Sequence, residues 1–168
     1  IDFMKILWLT NIPLPEASRL MNESPLPFGG WMVNASKALS NDAKVELSIT
    51  FPNLKSSKVE KFNGEKINYY TFPNVNVKND TLIHNNIYLK SILSDVQPDI
   101  VHIFGTEYAH SLAIINACKE FGKPTVINIQ GLVSVIAKHY NANLPTNVLK
   151  RFTFRDFVKQ NNILQQKK

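Results

Sequence analysis

From Pro98 to Gly131 the chain reads PDIVHIFGTEYAHSLAIINACKEFGKPTVINIQG, and no other stretch restricts the fold as much. A proline stop and Asp99 precede the apolar run Ile100–Phe104, which has strand length. TEYAHSLAIINACKEFG then has the look of a helix closing at Gly122, and Thr125–Ile129 forms a second apolar strand. Strand, helix and strand within about 30 residues is a parallel crossover unit, and such units are right-handed almost without exception. Parallel strands are covered on both faces, so the rest of the chain has to supply more elements of the same kind.

It does. KILWLT (5–10) is a largely apolar run of strand length, followed by a long loop with four prolines through Pro27. From Gly30 to Leu39 the residues Met32, Val33, Ala35, Ala38 and Leu39 fit a helix with one buried side. VELSIT (45–50) is another strand, and Asn-Gly inside KFNGEKINYYTF (61–72) signals a short hairpin or a strand entry. After an Asn-rich loop, IYLKSILSDV (87–96) carries Ile87, Leu89, Ile92, Leu93 and Val96 at helical spacings. The alternation predicts an α/β, Rossmann-like, doubly wound and mainly parallel sheet with helices on both faces. Residues 4–131 form its core, and residues 132–168 a basic, aromatic-containing helical segment of the same domain. Met4 followed by Lys5 reads as a natural start, with residues 1–3 added ahead of it.

At 168 residues there is room for one domain with a substantial core. Hydrophobic residues at 44% and charged ones at 19% fit a soluble globular chain, not a disordered one. No apolar run approaches the roughly 18 residues that a membrane span needs. MKILWLTNI is too short for a secretory signal, and the lone Cys118 reads as a buried thiol, which suits a reducing cytoplasm. Lysine and arginine balance aspartate and glutamate through Gln130, so the whole net charge of +6 falls in the last 38 residues. A neutral body with one basic end points to a local anionic partner, and no nucleic-acid motif accompanies it.

In a doubly wound sheet, ligands meet the loops at the carboxyl ends of the strands. Here these are the stretch from Thr10 to Gly30, the loop Gly105, Thr106, Glu107 and Tyr108, and the pair Gln130–Gly131. Gly29–Gly30 either relieves backbone strain where a loop enters a helix or offers bare N–H groups to a phosphate; position alone leaves the two even. The spacing is neither G-x-G-x-x-G nor a phosphate loop, so no dinucleotide or ATP site is indicated. Thr106 reads as a helix N-cap as well as a candidate ligand, and Glu107 suits either a helix N-terminus or a hydroxyl. Trp31 and His102 read as packing residues. His84 and His110 have no evident partners, and the histidines lack metal-site spacing.

Taken in order, MKILWLTNIPLP…FGGWMVNASKALS and PDIVHIFGTEYAHSLAIINACKEFGKPTVINIQG resemble the N-terminal half of GT-B glycosyltransferases, family 4 above all. That half opens with a "MKIL…T" strand and a Gly-Gly loop, and later carries "PDhVHhHG" (h, apolar), a helix and "hPhhhThHG". The resemblance covers residues 4–131 and, more weakly, the basic tail. It implies one half of a GT-B fold, the acceptor-side domain, with the nucleotide-sugar domain and its E-x7-E glutamates outside this chain. The activity implied is transfer of a sugar from a nucleotide-diphosphate sugar to a saccharide or to a lipid-linked phosphate or pyrophosphate acceptor, in bacterial surface polysaccharide synthesis. Such an enzyme is a hexosyltransferase, usually retaining, without an agreed protein nucleophile; this chain alone is expected to be inactive, and no catalytic residue is named. No cofactor or metal is implied beyond the donor substrate.

The resemblance assigns Gly29, Gly30 and Gln130 to the donor, and favours the phosphate reading of the glycines. Gln130 departs from the family's histidine; an amide positions and polarises but does not titrate, and a plain loop amide is nearly as good a reading. Gly105, Thr106, Glu107 and Tyr108 are assigned to the acceptor. In the tail, Arg151, Arg155 and Lys159 stand at i, i+4 and i+8, a single stripe if the segment is helical, with Lys138 nearby and Phe152, Phe154 and Phe157 between. These cations either face solvent beside a partner domain or meet phosphates at an anionic membrane surface, making the protein cytoplasmic and peripheral. The competing function is a non-catalytic α/β module that binds a nucleotide, phosphate or anionic surface.

Overall fold

The structure, a computed structural model, describes residues 3–159 apart from 28, 76, 77, 79, 130, 132–134, 136, 137, 140, 142 and 143; of 155 and 159 it describes the backbone alone. It falls into two compact units, residues 1–130 and 131–168. The first is a sheet of six strands: β1 (Met4–Leu9), β2 (Val45–Asn53), β3 (Glu60–Asn63), β4 (Ile67–Pro73), β5 (Ile100–Phe104) and β6 (Thr125–Asn128). Their spatial order is β3-β4-β2-β1-β5-β6, and every neighbouring pair is parallel except the β3–β4 hairpin. The α/β, Rossmann-like fold expected from the alternation is therefore present.

Strand register alternates side chains between two cores. Leu7 and Leu9 of β1 and Val101 and Ile103 of β5 face one side, against α4 (Ile87–Val96) and α5 (Ala109–Glu120), whose Leu89, Ile92, Leu93, Ala113, Ile114 and Ala117 are buried. Trp8, Leu47, Ile49 and Phe104 face the other, against Met32 of α2 (Gly30–Ser40) and Ala17 of α1 (Pro15–Leu20). Each fully buried Leu or Ile contributes about 1.5–3 kcal/mol by leaving water. Asn86 starts α4, its side chain accepting from Leu89 N–H at 2.9 Å. Gly122 takes a left-handed φ of 62° just past α5, as the helix stop requires.

The structure departs from the sequence reading in three places. The proline-rich stretch holds the helix α1, because Pro15 occupies a first-turn position where its missing N–H costs nothing. The Asn-rich loop holds a single turn, α3 (Asp80–His84). Last, β6 ends at Asn128 and is exposed at every position, with Val126 at 46% and Ile127 at 39%, unlike the buried β5 beside it.

Among the described residues of the second unit are α6 (Thr146–Leu149) and α7 (Phe154–Lys159). Thr153 and Asp156 exchange hydrogen bonds across the first turn of α7, N–H to Oδ2 at 2.9 Å and N–H to Oγ1 at 3.3 Å, a reciprocal cap. That cap starts the helix at Phe154 and leaves Arg151 outside it, so Arg151, Arg155 and Lys159 do not form one helical stripe. Lys138, Arg151, Phe152, Phe154 and Phe157 are exposed. No helix among the described residues is long and apolar enough to cross a membrane.

Candidate functional site

The chain passes from β1 to β2 on one side, and from β4 it crosses to β5 on the other side of β1. The strand order therefore reverses between β1 and β5, and the crevice outside their carboxyl ends is where such sheets bind ligands. Two corners line that crevice.

The first joins the ends of β1 and β5. Thr10 closes β1 by donating its N–H to Thr50 O at 2.9 Å and its hydroxyl to Ile12 O at 2.8 Å. The turn aims Asn11 across the crevice, where its Nδ2 donates to Phe104 O at 3.2 Å. With that amide hydrogen engaged, Oδ1 faces His110 Nε2 at 2.8 Å, so Nε2 carries the proton and Nδ1 keeps a lone pair. His110 is buried, and burial pushes its pKa down to about 4; Nδ1 has no protein partner among the described residues. Gly105, at φ 92°, donates to Asn128 O at 2.9 Å and accepts from Ser111 Oγ at 3.0 Å. A Cβ here would run into the Glu107 carboxylate and approach Asn11 Nδ2 to 3.0 Å.

Tyr108 stacks on His110, ring centroids 5.2 Å apart and planes 7° from parallel, with Phe72 edge-on to the imidazole at 5.8 Å. Tyr108 is the N-cap of α5, extended and with no side-chain cap, so Thr106 is not the cap. The left-handed Gly105 holds the chain in bends through residues 106–108, which delays the helix to Ala109. Glu107, Tyr108, His110 and Asn11 line a cavity of about 660 Å³ that extends over the ends of β2 and β4. Thr106 is not among its lining residues, and Gly105 lies buried beneath the loop.

The second corner is the start of α2. Gly29 is its N-cap at φ 85°, with no side-chain cap, so the first N–H groups of an eleven-residue helix are free of one. A Cβ on Gly29 would meet Met32 Cε at 3.0 Å and Ile12 Cδ1 at 3.1 Å, whereas one on Gly30 would meet nothing within 4 Å. Trp31 rests on Phe104 at 5.4 Å and is 49% exposed, so it packs on one side and stays open on the other. Ile12 thus borders both Gly29 and the cavity. Gln130 lies outside the described residues.

His102 sits half-buried among Trp8 at 5.9 Å and Phe104 at 4.1 Å, and burial lowers its pKa, as a packing histidine should behave. Burial raises the Cys118 thiol to about 11, leaving it unreactive. His84 is exposed. Among the described residues no cluster of His, Cys, Asp or Glu is arranged to hold a metal ion. Sequence reasoning passed over Asn11 and His110; the available signal was a polar residue just after the first strand and a histidine one step into the helix after β5, both flanking the reversal. No family model, curated protein or solved structure matches this chain.

Proposed function

We propose that this chain is the acceptor-side domain of a GT-B-type glycosyltransferase, moving a sugar from a nucleotide-diphosphate sugar to a saccharide or lipid-linked acceptor. The observation that carries the reading is the pairing, with Ile12 bordering both, of an uncapped helix start and a largely apolar cavity that carries a few polar side chains, both beside the β1–β5 reversal. The start of α2 suits the donor diphosphate: helix N–H groups and the positive end of the dipole favour phosphate, and open space at Gly30 admits it. Neutralising the departing diphosphate there lowers the barrier without a protein nucleophile. The cavity, walled by Glu107 and Tyr108, suits the acceptor. Gln130 is assigned to the donor by resemblance alone. On this reading the enzyme is peripheral on the cytoplasmic face of a membrane, and the exposed Arg151, Phe152, Phe154 and Phe157 suit contact with an anionic surface.

The test is sugar transfer by the protein from the complete coding sequence, screened over nucleotide-diphosphate sugars with product linkage analysis. Gly30→Val is expected to reduce turnover by more than about tenfold with the folded state kept, because its side chain meets open space. A coding sequence that stops at Lys168, or one that continues into a second Rossmann-like half yet transfers no sugar from any donor, sinks the enzyme reading in favour of a binding module.

A further inference from the structure

The cavity beside Asn11 has a charge balance that separates the two acceptor classes. Among the described residues of its lining, Lys55 is the only lysine or arginine, and its ammonium is already paired with Glu23 of the same lining at 2.7 Å. Glu107 adds a second carboxylate, so the described residues of the lining carry excess negative charge and no second cation. Its remaining polar groups are neutral. Asn53 gives its Oδ1 to Lys55 N–H at 2.9 Å and keeps its NH₂ group, and Asn74 lines the same wall. Ser18 and His110 each hold a buried polar atom without a protein partner among the described residues. Tyr108, backed by the imidazole that Asn11 fixes, is 53% exposed and offers a rigid ring.

An aromatic ring matches the C–H face of a sugar, while amides and a carboxylate pair with its hydroxyls. A phosphate in this place would lose its hydration and gain a like charge. We infer that the cavity holds its ligand as an uncharged saccharide, seated on Tyr108 with hydroxyls toward Glu107, Asn53 and Asn74, and not through a phosphate or pyrophosphate. Naming that ligand the acceptor rests on the glycosyltransferase reading; the preference for a neutral polyol over an anion rests on the cavity itself.

Titration of the 168-residue chain with methyl β-cellobioside, methyl β-chitobioside and octyl phosphate, followed by NMR of the tyrosine and histidine rings, tests this. At least one disaccharide should shift the Tyr108 and His110 signals, and octyl phosphate at the same concentration should leave them in place. Tyr108→Ala should weaken the disaccharide about tenfold, and Tyr108→Phe, which keeps the ring, should weaken it far less. Octyl phosphate moving these signals at lower concentration than both disaccharides overturns the inference, as does the failure of both disaccharides to move them. Disaccharide binding by a protein that transfers no sugar removes the transferase reading and keeps this one. Transfer to a phosphate-linked acceptor, with no disaccharide bound, does the reverse.

Discussion

The two corners of the crevice are built on opposite plans. At the β1–β5 corner the main polar groups are tied: Asn11 bridges Phe104 O and His110, and both backbone groups of Gly105 are engaged. At the start of α2 there is no side-chain cap, and the space around Gly30 is open. Both corners use a left-handed glycine, Gly105 and Gly29, but only Gly105 also sits among hydrogen-bonded polar neighbours. The difference teaches where rigidity is spent. The tied corner fixes the cavity wall, and the open one leaves room for a group that comes from outside.

Acid should break the tied corner first. His110 has its pKa lowered to about 4 from 6.5, so between those values the unfolded chain takes up a proton that the folded state refuses. Stability therefore rises with pH across this window and is lost as pH falls through it. At about 1.4 kcal/mol per pKa unit the loss is on the order of 3 kcal/mol, and His110→Gln should flatten that slope in urea melts taken at several pH values.

Gly105→Ala comes next, expected to cost about 1–3 kcal/mol from its left-handed backbone and its crowding against Asn11 and Glu107, read as a lower urea midpoint. The open corner should respond least, and its two glycines should differ. Gly29→Ala should cost about 1–2 kcal/mol, since its φ of 85° disfavours a Cβ and the facing Met32 can move aside. Gly30→Ala should change stability by no more than about 1 kcal/mol, in the stabilising direction, because alanine suits a helix better than glycine. Equal losses at Gly29 and Gly30 would erase the contrast.

How much of this was legible in the sequence depended on the range of the interaction. The β5–α5–β6 unit and the Asn-Gly hairpin declare themselves through local periodicity and turn chemistry, and both formed. Pro15 misled because proline reads as loop unless its place in the first helical turn is known. Thr106 misled because the left-handed Gly105 postpones the helix, which letters alone do not reveal. Asn11 and His110 are 99 residues apart, and a single polar pair at that separation leaves no periodic trace. The glycines at 29 and 30 were visible, but φ and neighbouring space, not residue type, separate the strained one from the free one.

The outermost strand has a practical consequence. Among the described residues β6 is the last strand of the sheet, and it exposes Val126 and Ile127, with Ile129 at 59% exposure just beyond, where a parallel sheet ordinarily keeps apolar residues covered on both faces. Such a margin is sticky. Concentrating the purified chain should bring reversible self-association that grows with salt, as apolar contact does and ionic contact does not. A lysine at position 126 or 127 is the simplest way to keep the protein monodisperse at the concentrations that spectroscopy of the cavity demands.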